Sequence, residues 1–215
     1  MYKAIIFDLD GTLLDTSKEI CEILNKTFKN FSLPEISLER TIELVGSGAR
    51  KLIEDAVGSR DKDFVDKVYE NFSKNYAESD NNLTCLYENE GEVLQNFNNS
   101  GIKLAILTNK PQGATERVFA KFLANYGFSI VLGQTEYRPI KPNPACVYEI
   151  LESFNVDKKD CLFVGDGEAD ILTAKNAGVD CASVLWGFRS KNQLEKAGGN
   201  LFVSSFKELE KIVNF

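Results

Sequence analysis

The chain has 215 residues, 43% hydrophobic and 27% charged, with 25 Lys and Arg against 32 Asp and Glu for a net charge of −7. That length implies one or two domains at roughly 150 residues each, and the composition excludes disordered, collagenous and fibrous classes. An acidic chain without a Lys/Arg block has little electrostatic reason to bind nucleic acid or an anionic membrane, and no apolar run approaches the roughly 18 residues that span a bilayer.

Residues 3–9 carry the apolar run AIIF and read as a buried strand. Thr16-Ser17-Lys18-Glu19 forms a capping-box pattern, followed by Ile20, Ile23, Leu24, Thr27, Phe28 and Phe31 at helical spacing. Leu33-Pro34 stops that helix. More helices are expected over 38–45, from Ala49 to a stop at Gly58, and through Phe64, Val65, Val68, Phe72 and Tyr76. After a polar break at 79–82 the pattern alternates. Helices at 91–98, 114–123, 145–154 and 169–177 take turns with strands at 102–108, 129–132, 161–164 and 179–185. Gly178 is placed as a left-handed helix end. Ser190 and Ser205 open two further helices around a strand at 201–203. Alternating βα units predict an α/β fold, a parallel sheet with helices on both faces. The all-helical block at 15–84 reads as an inserted second domain, dividing the other one into 1–14 and 85–215.

The chain has no His, which excludes Ser-His-Asp and Cys-His catalysis and His-ligated zinc. Cys21, Cys85, Cys146, Cys161 and Cys181 are odd in number and form no CxxC. The opening apolar run meets two Asp too soon for a signal peptide, so reduced thiols in a cytoplasmic protein are expected.

Four stretches stand at or just after the C-terminal end of an expected strand, where open parallel sheets hold ligands. Asp8-Leu9-Asp10-Gly11-Thr12 can put two carboxylates on one side of an extended segment. An Asp-Gly turn explains one of them and gives no reason for the second at the mouth of a buried strand. Leu107-Thr108-Asn109-Lys110-Pro111 offers a hydroxyl and an amide, which a plain helix cap would also supply. Lys141-Pro142-Asn143-Pro144 offers a cation held by prolines. Val164-Gly165-Asp166-Gly167-Glu168-Ala169-Asp170 places Asp166 and Asp170 four apart at a helix start, where acids also suit the macrodipole. Gly46-Ser47-Gly48 lacks the third glycine of a dinucleotide fingerprint, Lys51 standing in its place.

Together and in this order, DLDGT, LTN, KPNP and GDGEAD resemble the four motifs of the haloacid dehalogenase-like superfamily of phosphatases, over essentially the whole chain. FDLDGTLLDT, Val45-Gly46-Ser47-Gly48-Ala49-Arg50, LTNKP and Trp186-Gly187-Phe188-Arg189 are similar to its phosphoglycolate phosphatase-like branch. Gly167 departs from the pattern, where Ser or Thr is common. The resemblance implies a Rossmann-like parallel sheet flanked by helices, with the 15–84 insert as a small α-helical cap. It implies a Mg2+-dependent hydrolase of a small phosphomonoester, 2-phosphoglycolate first, acting through an aspartyl-phosphate intermediate.

On that resemblance Asp8 is the nucleophile, and a carboxylate with an ordinary pKa near 4 is ionised at neutral pH without help from a His. Asp10 would protonate the leaving oxygen and then deprotonate water. Asp8 and Asp166 would ligate the metal by side chain and Asp10 by its backbone carbonyl, with Asp170 close by or acting through water. Thr108 and Lys141 would hold phosphoryl oxygens, with Asn109 nearby. Four carboxylates against one lysine call for a divalent cation, and oxygen ligands beside a phosphate point to Mg2+. Ser47 and Arg50 are the cap residues expected to reach the substrate. A phosphomutase of the β-phosphoglucomutase type shares every core motif, and a pyrophosphatase or nucleotidase of the superfamily remains open. Asp10 argues against dehalogenation, and the presence of both Asp8 and Asp10 argues against a non-enzymatic phosphate sensor. The expected partner is a small phosphorylated metabolite, bound by a monomer or homodimer.

Overall fold

The computed structural model describes residues 1–58 and 61–213. The chain runs from β1 (Ala4–Phe7) and β2 (Leu14–Asp15) into helices α1 (Ser17–Asn30), α2 (Leu38–Leu44), α3 (Ala49–Val57) and α4 (Lys62–Ala77). It returns through β3 (Cys85–Leu86) to α5 (Glu90–Asn99), β4 (Lys103–Pro111), α6 (Gln112–Val118), β5 (Phe128–Gln134) and α7 (Ala145–Phe154). The last part holds β6 (Cys161–Gly165), α8 (Glu168–Ala177), β7 (Asp180–Val184), α9 (Lys191–Lys196), β8 (Phe202–Val203) and α10 (Phe206–Val213).

Six parallel strands form one sheet in the order β5-β4-β1-β6-β7-β8, so the winding reverses at β1. A strand paired on both edges and covered on both faces must be apolar throughout, and all four residues of β1 are fully buried. Successive side chains point to opposite faces. Ile5 and Phe7 pack with Val93, Phe97 and Phe206 on one side, while Ala4 and Ile6 meet Val147, Ile150 and Phe154 on the other. Each buried Ile or Phe contributes about 1.5–3 kcal/mol. Register then positions the motifs. Phe7 pairs with Ile106 on β4 and Val164 on β6, so Asp8 leaves the sheet beside the Leu107-Thr108 and Gly165-Asp166 steps. The Asp8 N–H donates to the Val164 carbonyl at 2.9 Å and fixes that exit.

Helices α1–α4 bury a separate cluster that includes Ile20, Leu24, Leu52, Ile53, Val68 and Phe72, touched from α6 by Ala114. The chain enters and leaves this unit through β2 and β3, which pair antiparallel as Leu14↔Leu86 and Asp15↔Cys85. Two-residue strands have no periodicity to read, and the sequence showed neither.

Three local expectations are corrected. Thr16 stands at the N-cap of α1, but its backbone (φ −103°, ψ 3°) lacks the extended geometry of a capping box, and its side chain makes no cap bond. Its hydroxyl donates instead to Asp10, and Glu19 accepts from the Leu83 N–H and the Ser79 hydroxyl. Strand β4 runs on through Thr108, Asn109 and Lys110, and its pairing with β5 slips between Leu107 and Pro111. A slip of this kind re-aims side chains beside a site. The helix expected at 114–123 starts at Gln112 and passes after Val118 into a π-helical turn over Phe119–Leu123. Among the described residues no helix is long and apolar enough to cross a membrane, and all five cysteines are free.

Candidate active site

Asp8, Asp166 and Asp170 converge at the carboxyl edge of β1 and β6. All three are buried, and one carboxylate oxygen from each lies within 4.8 Å of the others. Lys141, in the loop after β5, opposes them with its ammonium 2.7 Å from Asp8 Oδ1 and 2.6 Å from Asp170 Oδ1. Asp8 Oδ1 is buried and has no partner besides this ion pair. Burial pushes the Asp8 carboxyl up to about 8 against the pull of Lys141, and Asp170 and Asp166 add to the rise. Burial and Asp170 push Asp166 up to about 6, opposed by the Phe188 N–H and the Thr12 hydroxyl. Burial would lower the Lys141 ammonium, but Asp170 and Asp8 outweigh it and hold the group above its ordinary value. Three buried carboxylates facing one ammonium leave the cluster short of positive charge, a donor set that fits a hard divalent cation.

The backbone around this cluster is shaped to it. Asp166 accepts from the Thr12 hydroxyl at 3.1 Å and the Phe188 N–H at 2.8 Å, and Asp170 accepts from the Gly167 N–H at 2.9 Å. Gly11 turns with φ +85°, and a Cβ there would lie 2.3 Å from Asp166 Oδ2. A Cβ on Gly187 would lie 2.2 Å from Asp166 Cβ. Neither position tolerates a side chain.

Asp10 lies outside this acid cluster and has its own partners. Its Oδ1 accepts from the Thr16 hydroxyl at 2.7 Å and from the Lys110 ammonium at 2.8 Å. Lys110, its side chain 1% exposed, also donates to the Tyr76 hydroxyl from α4. Burial works to lower Lys110, yet Asp10 and Tyr76 hold it above its ordinary value. Thr108 is buried and its hydroxyl accepts from the Lys110 N–H at 3.2 Å, which leaves the hydroxyl proton free to donate. Asn109 spends its amide on backbone: it donates to the carbonyls of Gly46 and Lys141 and accepts from the Lys141 N–H. It thus holds the Lys141 loop in place and ties it to the segment between α2 and α3.

The two cap candidates part company. Ser47 lines the same hollow as Asp8, Asp166 and Lys141. Arg50 lines a different hollow with Lys51, Glu54 and Asp55, pairs with Glu54 and Asp66, and covers the Tyr69 ring. The sequence motifs place none of Lys110, Tyr76, Thr12, Thr16 and Arg189 in the site, Thr16 being read as a helix cap and Tyr76 as part of an apolar helix face. Lys110 belongs to the Leu107–Pro111 stretch, and its place next to Thr108 and Asn109 is the signal for it. Arg189 donates to the carbonyls of Ile42, Glu43 and Val45 at the end of α2, a contact between distant segments that no local pattern announces.

An open parallel sheet that gathers carboxylates at its switch point, beside a small helical unit, defines an α/β protein with an acid-lined site where such sheets hold their ligands. Residues 5–184 match the family model of the haloacid dehalogenase-like hydrolases, and the chain belongs to that family. It is 32% identical over 220 residues to a phosphoglycolate phosphatase of Mannheimia succiniciproducens, covering 99% of this chain and 98% of the relative. It is 33% identical over 190 residues to one of Aquifex aeolicus, covering 88% of each. Among solved structures, a protein of Lactobacillus delbrueckii described as a candidate phosphoglycolate phosphatase superposes with a TM-score of 0.92 at 29% identity. That match covers 99% of this chain and 98% of the other.

Proposed function

We propose that this hydrolase is a Mg2+-dependent phosphatase of a small phosphomonoester, with 2-phosphoglycolate as its substrate. The observation that carries the reading is the separate partnering of Asp8 and Asp10, two residues apart. Asp8 faces Lys141 and the acid cluster, whereas Asp10 is held by Lys110 and Thr16. Two carboxyls in different surroundings can take different parts in one reaction. Asp8 attacks phosphorus and carries the phosphoryl group as an aspartyl phosphate. Asp10, whose two bonds both fall on Oδ1, has Oδ2 left to protonate the leaving oxygen and then to take a proton from water. Thr108 and Lys141 hold the phosphoryl oxygens. Mg2+ held by Asp8, Asp166 and Asp170, with the Asp10 backbone carbonyl, would supply the positive charge that keeps Asp8 ionised beside an anionic substrate. The relatives' names support phosphoglycolate as the ester. The pairing of β2 with β3 supports residues 15–84 as a cap that hinges on the core, and the free cysteines suit a cytoplasmic setting.

The test is a panel of 2-phosphoglycolate, β-glucose 1-phosphate, a nucleoside monophosphate and pyrophosphate, assayed with Mg2+ and with excess chelator. The highest kcat/KM is expected on 2-phosphoglycolate, with no turnover in chelator and inhibition by Ca2+. Isomerisation of the sugar phosphate without phosphate release, or full activity in chelator, would overturn the reading.

A further inference from the structure

Beside Asp8 and Asp10 a cavity opens between the sheet edge and the helical unit, with an empty volume of about 470 Å³ counting its open side. Its walls are mostly apolar, with Ile20, Val45, Leu52 and Phe72 from the helical unit. Among the described residues that line it, Lys110 is the one cation, and the Tyr76 ring and hydroxyl stand next to it. An ammonium has three N–H donors, of which Asp10 and Tyr76 take two. The Tyr76 hydroxyl accepts from Lys110, so its own proton is free to donate. We propose that Lys110 and Tyr76 together read an anionic group on the leaving part of the substrate, the carboxylate in 2-phosphoglycolate. This assignment rests on the phosphoglycolate reading above. Arg50, which the sequence places among the residues expected to reach the substrate, is engaged with Glu54 and Asp66 and lines a different hollow.

A buried ammonium and a phenol inside an apolar wall give strong discrimination, because a ligand lacking the matching acceptor leaves them unpaired. The pair also straddles the two units, Tyr76 on α4 and Lys110 on β4. A carboxylate bound there would bridge helical unit and core, so that substrate itself holds the cavity shut.

The experiment compares 2-phosphoglycolate with ethyl phosphate, which keeps the ester skeleton and replaces the carboxylate by a methyl group. The readout is the ratio of the two kcat/KM values in wild type, Tyr76→Phe and Lys110→Met. The ratio is expected to fall by about 10-fold or more in each variant, the worth of one good charge-assisted contact. A wild-type preference that survives in both variants would overturn the assignment while leaving the phosphoglycolate reading intact. Equal losses on both esters would also overturn it, because Lys110 would then act through Asp10 alone. Equal wild-type rates on the two esters would remove the phosphoglycolate reading and this assignment with it. Should Lys110→Met fail to fold, Tyr76→Phe carries the same comparison.

Discussion

The sheet edge and the helical unit both carry charged residues, and they spend them differently. At the sheet edge the charges are mostly buried and paired across long stretches of chain: Lys141 with Asp8 and Asp170, Lys110 with Asp10. In the helical unit Arg40, Arg50 and Lys51 pair with acids of the same unit at part-exposed sites. Exposed pairs contribute at most about 1 kcal/mol each, whereas buried ones are costly to desolvate and persist where the surrounding geometry is fixed. The sheet edge therefore holds its reactive groups rigidly, and the helical unit meets it through Gly46 with Asn109, the end of α2 with Arg189 and Tyr76 with Lys110, while Arg117, Lys121 and Ala114 of the segment after β4 add further contacts.

Substitutions on the two sides of this divide should differ by orders of magnitude. Asp8→Asn is expected to lower kcat by about 10⁴-fold or more, the scale of losing a nucleophile, while circular dichroism shows an unchanged fold. Retention of a tenth of the wild-type rate would break the contrast at its strongest point. Lys141→Met should cost about 3–5 kcal/mol in urea unfolding with chelator present, because Asp8 and Asp170 lose their shared counter-charge. An unchanged midpoint would mean that those acids do not depend on it.

Where the two units join, Glu90 sharpens the contrast. It is fully buried, with Oε1 unbonded and Oε2 accepting from the Tyr87 N–H. Burial pushes it from an ordinary 4.5 up to about 9. Between those values the unfolded chain gives up a proton that the folded chain keeps, so folding loses stability as pH rises through that window. Glu90→Gln should then be more stable than wild type by about 3 kcal/mol at pH 7, with the gain vanishing toward pH 4.5. A gain independent of pH would contradict this. The smallest effect belongs to the helical unit: Arg50→Ala, which loses two part-exposed pairs, should cost at most about 2 kcal/mol and leave KM within about 2-fold. A tenfold rise in KM for 2-phosphoglycolate would place Arg50 at the substrate and dissolve the distinction between the two surfaces.

The same divide explains what the sequence made legible. The apolar run of β1, the helix 145–154 and the acids after each strand are local signals, and parallel register brings Asp8 and Asp166 to one edge. The Tyr76–Lys110 contact joins residues 34 apart in the chain, and Arg189 reaches Ile42 across 147. Helical spacing presented Tyr76 as one more apolar residue on a buried face, and nothing local says that its hydroxyl meets a lysine. Thr16 and Glu19 show the converse. Their spacing fits a capping box, and both are drawn off by partners from elsewhere in the fold. Arg50 shows it again, since its partner Asp66 comes from the next helix.

Covalent chemistry at Asp8 is the claim on which the rest depends. Acid-quenching the enzyme during turnover of 2-phosphoglycolate with Mg2+, then reducing with borohydride, converts an acyl phosphate to an alcohol that mass spectrometry locates by peptide. The account predicts reduction at Asp8, absent without substrate and absent from Asp10, Asp166 and Asp170. Reduction at a different carboxylate, or unreduced Asp8 in enzyme quenched at full turnover, would contradict it.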